Sequence, residues 1–188
     1  MNILWTGSDA LFQTCYPPGI SRKFRIKIFL ERIAIKIIRP FIETHYVDHK
    51  LLKYHLLTMG IKNIIVTPDY VFNPEPFDKI KHEGFNILVY VPANKNNPKF
   101  IEWLYGLDIY AQLRRELSGI NWVIVDGSAD MSKIFPTIDF YLRPTRHDGA
   151  SRLVKECEIN KIPTYWSQQN PDINEAKKTI ERAINAKR

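Results

Sequence analysis

The run DFYLRPTRHDGASRLVKECEINKIPTYWS, residues 139–167, contains the pattern around which we interpret the rest of the chain. Its apolar letters Phe140–Leu142 predict a short buried strand. A polar loop, residues 143–149, follows, and Leu153 and Cys157 then recur on one face of a predicted helix. The closing letters PTYW predict a second strand. We therefore predict the α/β fold class.

The loop between the first strand and the helix has the composition of an anion-binding site. A strand, a loop with glycine and arginine, and then a helix present free backbone N–H groups to an anion. The loop adds Arg143, Arg146 and His147, which suit phosphate as charge-assisted donors. A nucleotide or another phosphate-bearing ligand is the chemistry that these residues favour.

Two carboxylates bracket the predicted helix start. Asp148 is placed just before the helix, and Glu156 follows it by eight residues. A carboxylate accepts two hydrogen bonds from a vicinal diol, so such a pair could hold a sugar and a ribose. Each residue also has a structural interpretation: Asp148 suits a helix N-cap, Glu156 a solvated helix face, and the arginines surface charges.

At these residues the chain resembles a known family. The letters PTRHDGAS from Pro144, Glu156-Cys157, and KIPT from Lys161 are similar to the signature of retaining GT-B glycosyltransferases, group 1 (family four-like). There the pattern is Pro-Ser-x-x-Glu-Gly-Phe-Gly, then Glu-Ala, then Gly-x-Pro-Val. This chain departs from it with Asp for the first Glu, Ala-Ser for Phe-Gly, and Lys161 for Gly.

The resemblance implies transfer of a sugar, with retention, from a UDP- or GDP-linked donor to a glycan or lipid-linked acceptor in surface polysaccharide or glycoconjugate synthesis. It implies a hexosyltransferase-like enzyme with neither a metal nor a further cofactor. Asp148 would contact the donor sugar and Glu156 the ribose diol, and these are the implied catalytic residues. The implied donor-binding residues are Arg143, Arg146, His147, Gly149, Ser151 and Arg152.

We expect two Rossmann-like lobes of GT-B type. Residues 1–70 would form a truncated acceptor-side lobe and residues 71–188 the nucleotide-sugar-binding lobe. The segment 67–77 contains three prolines and is typical of an interdomain linker. The predicted strands of the first lobe are 2–6, 43–47 and 61–66, with a turn at 7–9 and a helix over 49–59 that Gly60 ends.

In the second lobe we predict strands at 85–92 and 121–125, a single helix over 100–117, and a terminal helix over 172–186. One or two helical turns fit between Gly127 and Phe140. Relatives hold donor phosphates with residues after the first strand of this lobe, where Lys95 is the one plausible counterpart.

A basic segment, residues 22–39, precedes the second predicted strand, in a chain whose net charge is +7. We predict a helix from Ile28 to Arg39. One interpretation is a core helix with a solvated basic back, which we favour slightly; the other is a helix on an anionic membrane surface. The apolar residues assigned to its buried face are Phe29, Leu30, Ile33, Ala34 and Ile37.

The amino-acid composition limits the class of protein and the compartment that we expect. The chain is 45% hydrophobic and 25% charged, which is ordinary for a globular protein. Two distant cysteines, Cys15 and Cys157, suit a reducing compartment, and we expect a cytoplasmic protein, either free or peripheral to a membrane. The first ten residues do not suggest a signal peptide. His45, His49 and His55 do not form a metal-ligand set.

Two other functional classes stay open at this point. One is a non-catalytic nucleotide-sugar-binding subunit or regulatory module, with a partner chain or a second copy supplying the rest. The other is a basic nucleic-acid-binding protein, which the charge suggests but no recognised motif supports. We expect no nucleic acid among the partners.

Overall fold

A computed structural model describes residues 21–47, 50–67, 76–92, 98–148 and 151–187, together with the backbone of residues 2–5. The chain divides into two compact units. The first is Met1–Phe72 with His147–Ala150, and the second is Asn73–Arg146 with Ser151–Arg188. The predicted lobe boundary at residue 70, most of the predicted linker, and the predicted turn at 7–9 lie outside the described residues.

The first unit contains a parallel sheet in the order β1-β2-β3. The register pairs Ile3 with His45 and His45 with Ile64. Among the described residues of this unit there are two helices, α1 and α2. The elements are β1 (Asn2–Trp5), α1 (Arg22–Ile38), a 3-10 turn (Arg39–Phe41), β2 (Thr44–Val47), α2 (Lys50–Thr58) and β3 (Ile64–Val66).

Helix α2 closes the core of this unit. Leu52 and Leu56 are fully buried and pack with Val47, Ile61 and Ile64. After α2 the chain turns at a glycine, residue 60, with φ of +70°, as the sequence predicts. The third strand is shorter than predicted because residue 63 also has positive φ, which delays the extended backbone.

Helix α1 corrects two predictions. It begins at Arg22, six residues before the predicted start, because the Ser21 Oγ accepts a hydrogen bond from the Phe24 N–H at 3.3 Å and caps it. The favoured core-helix face was also wrong. Its four largest residues, Phe29, Leu30, Ile33 and Ile37, are exposed, and the fully buried residue of the helix is Ile28.

The second unit contains a parallel sheet in the order β5-β4-β6-β7. Val89 pairs with Ile124 on one side and with Leu142 on the other. The predicted strands are all present. The elements are β4 (Phe85–Tyr90), α3 (Pro98–Leu104), α4 (Leu107–Glu116), β5 (Ile120–Val125), α5 (Met131–Ile134), a 3-10 turn (Phe135–Thr137), β6 (Phe140–Pro144), α6 (Arg152–Ile159), β7 (Thr164–Ser167) and α7 (Ile173–Lys187).

Strand β6 carries a core on each of its faces, because successive side chains alternate across a sheet. Phe140 and Leu142 pack in one cluster with residues of α4 and α7, whereas Tyr141 packs in the other with residues of α6. The thiol of Cys157 is fully buried there, and burial raises its pKa to about 12. This burial agrees with the predicted helix, on which Cys157 shares one face with Leu153.

The single helix predicted over 100–117 was wrong. Helices α3 and α4 are separate, and Gly106 stands between them with φ of +62°. The one or two helical turns expected between Gly127 and Phe140 are present as α5 and the 3-10 turn that follows it, and the terminal helix is confirmed. In the part of the chain that the structure describes, no helix is long and apolar enough to span a bilayer. The α/β class with parallel sheets is confirmed.

Candidate functional site

The order of strands in the second unit indicates a binding position at the carboxyl ends of its strands, which we call the carboxyl edge of the sheet. From β4 the chain passes to β5 on one side and then to β6 on the other. In open α/β sheets, ligands bind at the carboxyl ends of the strands where the order changes direction in this way. Here that position is the end of β4 at Tyr90 and the end of β6 at Arg143 and Pro144.

Arg143 is held at this edge by tyrosines. Its side chain is on the same face of β6 as Tyr141, and its Nη1 donates a hydrogen bond to the Tyr141 hydroxyl at 3.0 Å. Its Cζ lies 5.5 Å from the centroid of the Tyr105 ring, which lies 6.0 Å from that of Tyr90. Because Arg143 is only 9% exposed, these contacts fix where its positive charge lies.

Arg146, the second predicted phosphate donor, contacts a carboxylate of its own chain. Its Nη1 and Nη2 donate to the two oxygens of Asp108 at 2.8 and 2.6 Å, and Nη1 also donates to the Trp103 carbonyl at 2.6 Å. The hydrogen bonds from Arg146 lower the pKa of Asp108, while partial burial opposes them. The pair fastens the start of α4 to the loop after β6.

A close backbone contact supports the same junction. A Cβ added to Gly106 would lie 2.1 Å from the carbonyl oxygen of Pro144, a separation that real Cβ atoms do not show. Only glycine fits there, because the positive φ also disfavours other residues. Gly106 thus allows α4 to begin directly beside the end of β6, where Arg143 lies.

The helix after the loop begins later than predicted. Ser151 is the N-cap of α6, and its Oγ accepts a hydrogen bond from the Val154 N–H at 3.4 Å. The predicted placement of Asp148 just before the helix, and its interpretation as the N-cap, were therefore wrong. The eight residues from Asp148 to Glu156 do not run along one helix, since α6 starts at Arg152.

Glu156 has the chemical feature that most needs explanation. It lies in the second turn of α6, and its Oε2 is buried without a hydrogen-bond partner among the described residues. Burial raises the pKa of this carboxyl, and the charge of Arg152 partly offsets that effect. A buried carboxylate oxygen without a donor is unfavourable, so a hydroxyl-bearing ligand would supply what it lacks.

The other predicted residues are placed as follows. His147 is buried and Asp148 half-buried, and both belong to the first unit. Arg152 is exposed on α6. Gly149 and Lys95 lie outside the described residues. Of the predicted residues, Arg143, Arg146, Ser151, Arg152 and Glu156 belong to the second unit.

Sequence reasoning did not identify the aromatic residues or the carboxylate around the two arginines. Tyr90 gave the one local signal, since it ends an apolar strand just before Pro92. Asp108 gave none, because it is separated from Arg146 by 38 residues and was interpreted as part of a continuous helix.

Comparison with solved structures shows a similarity of fold. No protein-family model and no curated protein matches this sequence. Among solved structures, that of TarM, a glycosyltransferase, is similar to the chain with a TM-score of 0.60 at 11% identity. The match covers 98% of this chain and 43% of TarM, so this chain spans less than half of TarM's length. At that identity the similarity shows the fold alone, a Rossmann-like α/β fold.

Proposed function

We propose that this chain is a glycosyltransferase whose second unit binds a nucleotide-sugar donor at the carboxyl edge of its sheet. The observation that carries the proposal is the buried, unpartnered Oε2 of Glu156 on the helix that begins at this edge. The similarity of fold to TarM and the sequence signature around Glu156 support the same assignment.

Glu156 holds the ribose in this proposal. Two vicinal hydroxyls of a ribose can donate hydrogen bonds to one carboxylate, which would satisfy Oε2. Burial raises the pKa of Glu156, which shifts the equilibrium of this carboxyl toward its protonated form. Ribose binding stabilises the carboxylate instead, so nucleotide affinity should increase as the pH rises through the pKa of Glu156.

Arg143 and the start of α6 bind the diphosphate. The guanidinium is an always-charged donor held in place by Tyr141 and Tyr105. The backbone N–H groups of Ser151 and Arg152 add the positive end of a helix dipole. Arg146 takes part only where its contact with Asp108 opens or is shared with the ligand, so its contribution is smaller than that of Arg143.

The reaction is transfer of the sugar to an acceptor hydroxyl. The bond between the anomeric carbon and the diphosphate breaks, and a bond to the acceptor oxygen forms with retention. The proton of the acceptor hydroxyl passes to the departing diphosphate. Negative charge develops on the departing UDP or GDP, and in this proposal the Arg143 guanidinium and the helix terminus stabilise it. In this proposal the acceptor is a glycan or a lipid-linked sugar.

Calorimetric titration with UDP, GDP and their sugar conjugates tests donor binding. We expect one nucleotide to bind, Glu156→Gln to weaken it at least tenfold, and Glu158→Gln, an exposed residue of the same helix, to leave it unchanged. Arg143→Ala should also weaken binding, with the exposed Arg115→Ala as its control. A folded protein that binds none of these nucleotides would refute the proposal.

Transfer needs its own measurement, because the chain spans 43% of TarM. Release of free nucleotide is followed with donor and candidate acceptors present. Release that depends on the acceptor supports the transferase. Tight donor binding without release, across glycan and lipid-linked acceptors, would favour the non-catalytic nucleotide-sugar-binding module instead.

A further inference from the structure

Helix α1 has an apolar stripe that stays exposed beside the described residues of the first unit. Its residues follow the spacing i, i+3, i+4, i+7 and i+11, so they line one side of the helix. Between 40% and 64% of each side chain is exposed. The stripe consists of Ile26, Phe29, Leu30, Ile33 and Ile37.

The opposite side of α1 is attached to the unit. Ile28 is fully buried, and Ile35 packs against the core formed by α2 and the strands. At the end of the helix, the Arg39 guanidinium donates to the carbonyls of Met59, at 3.2 Å, and of Gly60. The helix therefore cannot rotate its stripe inward without losing this core contact and these hydrogen bonds.

Cations surround the stripe. Within Arg22–Ile38 six lysines and arginines stand against the single acid Glu31, a net charge of +5. At 100° per residue, Lys23 and Lys27 fall on one side of the stripe, while Arg25, Arg32 and Lys36 fall on the other. An apolar stripe between two rows of cations is the pattern of a helix that lies in the interface of an anionic membrane.

A cavity opens on the side with more cations. It has a volume of about 450 Å³ and lies between α1 and the turn after α2. Arg32, Lys36 and Arg39 line it together with the apolar side chains of Phe29 and Ile33. Cationic and apolar groups in one cavity suit the phosphate of a lipid headgroup and the first carbons of its chains.

We propose that α1 docks the protein on an anionic bilayer, with the stripe among the lipid chains and the cavity around a headgroup phosphate. Charge favours this occupant over others. A second copy of the chain would place one helix of charge +5 against another, which is repulsive. A nucleic acid would pair with the cations but would leave the apolar stripe without a partner.

Co-sedimentation with phosphatidylcholine vesicles, with and without phosphatidylglycerol, tests the proposal on the full chain. We expect binding only to vesicles that contain phosphatidylglycerol, and weaker binding at high salt. Phe29→Ser with Ile37→Ser should lower it at least about tenfold. Replacing Arg25 and Lys36 by glutamine should lower it about fivefold for each charge. Ile80→Ser, an equally exposed apolar residue of the second unit, is the control.

Four results would overturn this assignment. One is no binding to anionic vesicles by the folded protein. Another is self-association, by analytical ultracentrifugation, that the serine variant abolishes, which would indicate a second copy. The third is binding to duplex RNA or DNA that is tighter than vesicle binding and insensitive to the serines. The last is a clear loss of thermal stability in the serine variant, which would mean that the stripe is covered within the protein.

Discussion

Replacing Gly106 with alanine should destabilise the second unit and displace its candidate phosphate donor. The new Cβ would lie 2.1 Å from the carbonyl oxygen of Pro144 and 3.1 Å from its ring Cγ. The nearest atom belongs to the backbone, so a side-chain rotation cannot relieve the contact. Either the start of α4 or the end of β6 must move, and Arg143 precedes Pro144 in β6.

Two costs add at this position. Holding an alanine at φ of +62° costs about 1–2 kcal/mol. Forcing an extra carbon into a filled space costs about another 1–3 kcal/mol. Alanine also restricts the unfolded chain more than glycine does, which offsets about 0.4–1 kcal/mol of this loss. The free energy of unfolding should therefore fall by about 1–5 kcal/mol.

Gly119 provides a matched control. Its φ is +73°, and no atom lies within 4 Å of an added Cβ. Gly119→Ala therefore has the backbone cost without the clash, and it should lose only about 1 kcal/mol. The difference between the two variants measures the contact with Pro144.

Urea denaturation of both variants gives the two free energies, provided that the slopes agree with that of the unchanged protein. Titration with the nucleotide bound by the unchanged protein then tests whether Arg143 has moved, and we expect weaker binding for Gly106→Ala alone. Equal destabilisation by the two variants, within about 0.5 kcal/mol, would refute the reasoning.

Three further substitutions test the charges of the second unit. Asp108→Asn should cost up to about 1 kcal/mol at pH 7, since the solvent screens the contact of this exposed carboxylate with Arg146. Because the pKa of Asp108 is lowered, the contact contributes its full stability at a pH above the ordinary pKa of 3.8 and loses it as the pH falls through the lowered pKa. Urea titrations at pH 7 and pH 2.5 check the difference. Glu156→Gln should raise the melting temperature at pH 8, because the raised pKa of Glu156 means that ionising this carboxyl destabilises the fold. The gain in melting temperature should vanish when the pH falls below the ordinary pKa of 4.5. An equal gain at every pH would contradict this cause. Asp139→Ala should lower the free energy of unfolding by about 1–3 kcal/mol in urea denaturation, since it removes the acceptor of the Asn86 N–H at 2.8 Å. An unchanged free energy would mean that the Asn86 N–H finds another partner.

The predictions that the structure confirms rest on local patterns. Phe140 and Leu142 share one face of β6, and Tyr141 and Arg143 the other, because side chains alternate along any strand. The strands were found from their apolar runs, and the terminal helix from residues such as Ala176 and Ile180 at helical spacing. These patterns depend on neighbours in the chain, so they are visible before the chain is folded.

Local patterns failed where the local signal was weak or ambiguous. Apolar spacing continued across Gly106, so it could not reveal that the backbone there turns to let Pro144 approach. The early start of α1 came from a single serine ahead of the helix, which is a weak signal beside the apolar spacing that begins at Ile28.

The tertiary structure decides between alternatives that the sequence leaves open. Helix α1 has apolar residues on two sides, and periodicity alone cannot say whether Ile28 or Phe29 is buried. Arg146 suits phosphate by its chemistry, yet it contacts Asp108, 38 residues away. Burial and the pairing of charges are properties of distant segments brought together, whereas strand and helix periods belong to each segment alone. For this reason the elements followed from the residues, and the environment of the site came only with the packed chain.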